Sequence, residues 1–76
     1  MSVTIYSTPT CGYCNVAKKY FKENNIKFTD FNVMVNPQKA KEMVDKSGQR
    51  GVPVIDINGK IIVGFNQSEI EKNLKR

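Results

Sequence analysis

Val3-Thr4-Ile5-Tyr6-Ser7-Thr8-Pro9-Thr10-Cys11-Gly12-Tyr13-Cys14 is the stretch that decides how this chain folds. Its first four residues are β-branched or aromatic and read as a short strand. Ser7-Thr8-Pro9-Thr10 breaks that strand. From about Cys11 to Asn24 the pattern becomes helical, with Tyr13, Ala17, Tyr20 and Phe21 on one face and Thr10 as the expected N-cap. Two cysteines therefore stand at the mouth of a strand–helix unit.

Working outward, Asn24-Asn25 ends the helix and Lys27 to Val33 supplies a second strand. Asn36-Pro37 pairs a capping residue with a first-turn proline and opens a second helix. That helix turns Ala40, Met43 and Val44 inward and stops near Gly48. Val54-Ile55-Asp56-Ile57, Asn58-Gly59 and Lys60-Ile61-Ile62-Val63 form a hairpin, because Asn-Gly suits the two positive-φ positions of a type I′ turn. Asn66 to Glu69 has capping-box spacing, and Ile70 and Leu74 repeat at i and i+4. The order β-α-β-α-β-β-α describes an α/β domain: a crossover unit, then an antiparallel hairpin, giving a four-stranded mixed sheet flanked by three helices. The 76 residues fit a single domain over 1–76, without repeats or linkers. A chain this short buries only roughly 60% of its unfolded surface.

The cysteine pair admits few explanations. A Cys11–Cys14 bridge closes too small a loop to restrict the unfolded chain appreciably, so a purely structural disulfide is a poor reading. The chain has no histidine, and a closed zinc site needs four ligands, which two cysteines reach only if two chains pool their thiolates. No metal-ligating residues are assigned. A thiol attacks a disulfide as its thiolate, and the unpaired N–H groups and positive dipole end at a helix start stabilise negative charge. Cys11 occupies that place, and Cys14 lies a turn inside. Cys11 is thus expected to attack and Cys14 to resolve the mixed disulfide. Such a pair after a strand in a cytosolic protein reads as a redox motif.

Twelve basic residues against seven acidic ones give a net charge of +5, but the lysines are scattered among Glu and Asp. Without a basic face or an aromatic-bearing motif, a nucleic-acid partner is not expected. Met1 to Tyr6 lacks a signal-peptide pattern, and nothing approaches the ~18 apolar residues of a membrane span. A cytoplasmic monomer with no membrane partner is the expectation.

Gly51-Val52-Pro53 stands directly before the third strand, where proline marks an edge, a turn or a cis bond. With Thr10-Cys11-Gly12-Tyr13-Cys14 and Gly64-Phe65-Asn66 in the same order, the whole chain resembles a dithiol glutaredoxin. The resemblance implies the minimal thioredoxin-like fold, and an enzyme that reduces protein disulfides and glutathione mixed disulfides with glutathione or another small thiol as cosubstrate. It implies that Tyr13 lies beside a glutathione groove, that Pro53 is cis, and that the Val52 backbone pairs with the tripeptide. The turn Gly64-Phe65-Asn66-Gln67 would hold its γ-glutamyl end, and Arg50 and Gly51 would line the opposite end. Three positions depart from the family pattern: Thr8 replaces a frequent lysine, Gly51 a usual threonine, and Gln67 an aspartate that pairs with the γ-glutamyl ammonium. Gly64-Phe65 is also similar to redoxins that serve ribonucleotide reductase and are recharged by thioredoxin reductase. A Gly after the first cysteine resembles members that bridge a [2Fe–2S] cluster between two subunits with two glutathiones.

Overall fold

The computed structural model describes residues 2–74. The chain runs β1 (Val3–Ser7), α1 (Gly12–Glu23), β2 (Thr29–Asn32), α2 (Pro37–Ser47), β3 (Val54–Ile57), β4 (Lys60–Val63) and α3 (Gln67–Leu74). The sheet order is β2-β1-β3-β4. β1 pairs in parallel with β2, which demands the crossover that α1 supplies, whereas β1–β3 and β3–β4 are antiparallel. Asn58 and Gly59 adopt φ of 52° and 92°, as the hairpin turn requires.

Alternation along the strands separates two apolar layers. Val3, Ile5, Ile55, Ile57 and Ile62 pack on Ala17 and Phe21 of α1 and on Ile70 and Leu74 of α3. Tyr6 and Val54 face the other way and pack with Met43 of α2. A polar network closes this second layer. Tyr6 donates its hydroxyl proton to Glu42, and Lys46 Nζ reaches Tyr6 Oη at 2.8 Å and Asp56 at 2.9 Å. The Asp56 carboxylate, then the Tyr6 hydroxyl, hold the Lys46 ammonium above the ordinary lysine range.

Four local expectations need correction. Cys11, not Thr10, is the N-cap of α1, because Thr8 to Cys11 forms a turn closed by Cys11 N–H on the Thr8 carbonyl at 3.3 Å. Tyr13 shares helical spacing with Ala17 and Phe21 but lies in the first turn of α1 and is 70% exposed. β2 is limited to Thr29–Asn32, since Asn25 takes φ 57° and Ile26 N–H returns to the Phe21 carbonyl before the strand can start. Asn66 does cap α3 through Glu69 N–H at 3.2 Å, but the Glu69 carboxylate lies 3.7 Å from Lys72 rather than closing the box. Asn36 caps α2 as expected, and Gly48 ends it at φ 74°.

Candidate active site

Sheet connectivity brings four connections to one end of the molecule. β1 and β2 finish there, β3 begins there, and β4 finishes there with Val54 opposite Val63. The turns after β1, before β3 and after β4 carry every residue singled out from the sequence except those within the first turn of α1 and Gln67, the first residue of α3.

Cys11 both caps α1 and presents its sulfur. Its backbone is extended (φ −86°, ψ 115°), and its Sγ accepts the Cys14 N–H at 3.1 Å. A side-chain acceptor at this position satisfies one of the orphan donors of the first turn. Here the acceptor is a sulfur, so the helix start aims an N–H directly at the candidate nucleophile. The sulfur is partly exposed and lies 3.8 Å from the Val52 carbonyl oxygen. Val52–Pro53 is cis. Gly64, at φ 81°, donates its N–H to the Pro53 carbonyl at 2.8 Å, tying the turn after β4 to the proline loop.

Cys14 is fully buried. Burial, and then its contact with the Cys11 side chain, push its thiol from the ordinary 9.0 up to about 12. The two sulfurs are therefore chemically unlike: one partly open and fed by an N–H, the other a protonated thiol inside the core. Both are free cysteines, so the structure is that of the dithiol.

The expected groove residues are partly gathered. Val52, Pro53 and Gly64 are linked to Cys11 by the contacts above. Phe65 is half-buried and stacks edge-on to Tyr20, with centroids 5.8 Å apart, so it also fastens the turn to α1. Asn66 is engaged in capping, and Gln67 Nε2 points along α3 toward Glu71 Oε1 at 3.5 Å. Arg50 is exposed beside a shallow depression formed with Pro37, Ala40, Lys41 and Val44 of α2. Gly51 is held by a residue that the sequence reading missed. Gln49 accepts the Gly51 N–H at 2.5 Å and donates to the Gly51 carbonyl at 3.0 Å. A Cβ on residue 51 would meet Gln49 Oε1 at 2.8 Å, so the glycine at 51 and the glutamine at 49 form one arrangement. No periodicity or motif in the sequence marks Gln49, because its role depends on the path of the loop.

Among the described residues no group of three or more His, Cys, Asp or Glu side chains could hold a metal ion. A cluster shared between two chains would draw on Cys11, the cysteine with access to solvent. Five large apolar side chains stand exposed among the described residues: Tyr13, Val16, Met34, Val35 and Val63. Tyr13 and Val16 line a depression with Cys11 and Gly12. Met34 and Val35 follow β2 at one edge of the sheet and Val63 ends β4 at the other, so all five lie toward the end of the molecule that bears Cys11.

The family profile for glutaredoxin matches residues 3–62. The chain is 50% identical over 74 residues to an uncharacterised glutaredoxin-like 8.6 kDa protein of a rubredoxin operon in Clostridium pasteurianum, covering 97% of this chain and 99% of that one. It superposes on the glutaredoxin-like NrdH-redoxin of Escherichia coli, described as having a thioredoxin-like activity profile, with a TM-score of 0.85 and 26% identity over 95% of this chain and 93% of the other. A buckwheat glutaredoxin in complex with glutathione gives a TM-score of 0.74 and 28% identity, over 96% of this chain and 68% of that one.

Proposed function

This chain belongs to the glutaredoxin family of thiol–disulfide oxidoreductases, and from that premise we propose that its dithiol reduces protein disulfides and is recharged by a protein reductase of the thioredoxin reductase class. The supporting observation is the set of exposed apolar side chains on the Cys11 end. The turns there, residues 8–11, 33–36, 48–53 and 64–66, carry one charged residue, Arg50. A protein surface suits such a rim, because burying apolar area is favourable at about 25 cal/mol per Å². Glutathione, with two carboxylates and an ammonium, asks for charge at both ends of its groove.

The reaction follows from the asymmetry of the sulfurs. Cys11 attacks the substrate disulfide and forms a mixed disulfide. Cys14 then displaces the second substrate sulfur, leaving a Cys11–Cys14 disulfide and two substrate thiols. The cytosol, where thiols are kept reduced, is the proposed setting.

Glutathione as electron donor is the second reading. It is favoured by the Val52 backbone lying beside Cys11 and by the likeness to the glutathione-bound buckwheat protein. On that reading the groove is weak, since Gln67 offers a neutral hydrogen bond worth about 0.5–1.5 kcal/mol where a charge-assisted one is worth about 1.5–3. Oxidised protein supplied with NADPH and thioredoxin reductase should consume NADPH faster than with NADPH, glutathione and glutathione reductase. The reverse order overturns the leading reading. Under glutathione coupling, Gln67→Asp should raise turnover several-fold and Arg50→Ala should lower it in a salt-dependent way.

A further inference from the structure

The mechanism leaves one requirement unmet: a buried thiol held near pKa 12 must become a thiolate within a turnover. The surroundings of Cys14 contain an arrangement suited to this step. Lys18 lies four residues further along α1, one helical turn away on the same face. Its side chain is only 20% exposed, unusual for a lysine, and its ammonium is drawn back over the sheet to Asp30 at 3.1 Å. Asp30 in turn accepts the hydroxyl of Ser7 at 2.6 Å, and Ser7 is itself buried. One carboxylate therefore fixes both the lysine and the end of β1. The Lys18 charge favours the Cys14 thiolate, against burial and the Cys11 side chain, which disfavour it.

We propose that Lys18 stabilises the Cys14 thiolate during the resolving step, with Asp30 as the positioning residue that holds the ammonium in register. The inference rests on the reading of Cys14 as the resolving thiol. In the step itself, Cys14 gives up its proton and its sulfur attacks Cys11 Sγ in the mixed disulfide. The Cys11–substrate S–S bond breaks as the Cys11–Cys14 bond forms, and the leaving substrate thiolate takes up a proton. The enzyme dithiol is oxidised by two electrons, and the substrate disulfide is reduced by two.

Reaction of the reduced protein with excess 5,5′-dithiobis(2-nitrobenzoate) separates the steps. Attack by Cys11 releases a first thionitrobenzoate, and resolution by Cys14 releases a second. Lys18→Met should slow the second release about tenfold at neutral pH, the equivalent of one pK unit, and move its pH profile to the alkaline side. The first release, which belongs to Cys11, should keep its rate. Lys18→Arg should restore the second phase, and Asp30→Asn, which keeps the ammonium but loosens its anchor, should slow it partially. If the second phase keeps its rate and pH profile in Lys18→Met, or if both phases slow together, the proposal is overturned. Cys14→Ser serves as the control for the premise. It should release one equivalent only, and mass spectrometry of the wild-type product should find an intramolecular disulfide without bound thionitrobenzoate. Two thionitrobenzoate adducts on the wild type would mean that Cys14 reacts with the reagent instead of resolving, and the assignment of Cys14 then fails, whatever Lys18 does.

Discussion

Cys11 and Cys14 are separated by two residues, yet they meet opposite environments, and this difference governs what each substitution should do. Cys11→Ser is expected to abolish all exchange, because no other side chain caps a helix start with a sulfur. Cys14→Ser should keep exchange on a small mixed disulfide, where an added thiol resolves the intermediate, and lose reduction of a protein disulfide. Equal losses in both variants on both substrates would contradict this division. The raised thiol of Cys14 also has a stability consequence. Below about pH 9 it is protonated folded or unfolded and contributes no pH dependence. Between 9 and its folded value of about 12 the unfolded chain ionises first, so the reduced protein should lose stability as pH rises. Denaturant titrations from pH 8 to 11 should show a steeper loss for the reduced wild type than for Cys14→Ser. The cysteine pair and its placement at the start of α1 were legible in the sequence because spacing and the strand break before it suffice for them. The Gln49 brace was not legible, since it depends on a loop path that no periodicity encodes. Gly51→Thr should displace Gln49 and lower stability by about 1 kcal/mol through lost hydrogen bonds, measured by urea unfolding.

Elements whose ends carry chemical punctuation were readable from the chain. Asn36-Pro37, Gly48 and Asn58-Gly59 each dictate a backbone geometry with local atoms alone, and each adopts it. β2 was overextended because Lys27 and Phe28 have strand-like composition, and what holds them out of the ladder is the left-handed turn at Asn25. Tyr13 shares helical spacing with the buried Ala17 and Phe21 yet is exposed, because periodicity does not tell how far along a helix the covering core extends. Asn36→Ala should cost about 1 kcal/mol, the usual value of an N-cap side chain, read as a lowered midpoint in thermal unfolding. The attachment of α2 is more vulnerable. Lys46→Met leaves the Asp56 carboxylate, 16% exposed, without its cation, and should destabilise more than the cap change does. A smaller effect than that of Asn36→Ala would mean that water replaces the ammonium at no cost.

Across the whole molecule, hydrophobic exposure is sorted by position. The end bearing the hairpin tip is polar at Asn58, Gly59 and Lys60, while the Cys11 end gathers the five exposed apolar side chains. This sorting was not visible in the sequence, where Tyr13, Met34 and Val63 are far apart and only sheet connectivity unites them. Replacing Met34 and Val35 together by serine should raise KM for a protein disulfide about tenfold while sparing the reaction of Cys11 with a small aromatic disulfide. The comparison uses the same preparation for both substrates, and parallel changes would remove the rim from substrate docking.

The capping role of Cys11 makes the first turn of α1 a recorder of redox state. A thiol or thiolate sulfur accepts the Cys14 N–H; once that sulfur is bonded to a second sulfur it is the poorer acceptor, and the amide loses the partner that holds the first turn closed. Hydrogen–deuterium exchange at the Cys14 amide should accelerate when Cys11 carries a stable mixed disulfide, while the Gly48 amide, bonded to the Val44 carbonyl at 2.8 Å, keeps its protection. A single backbone proton would then serve as an internal gauge of how far each molecule has travelled through its catalytic cycle.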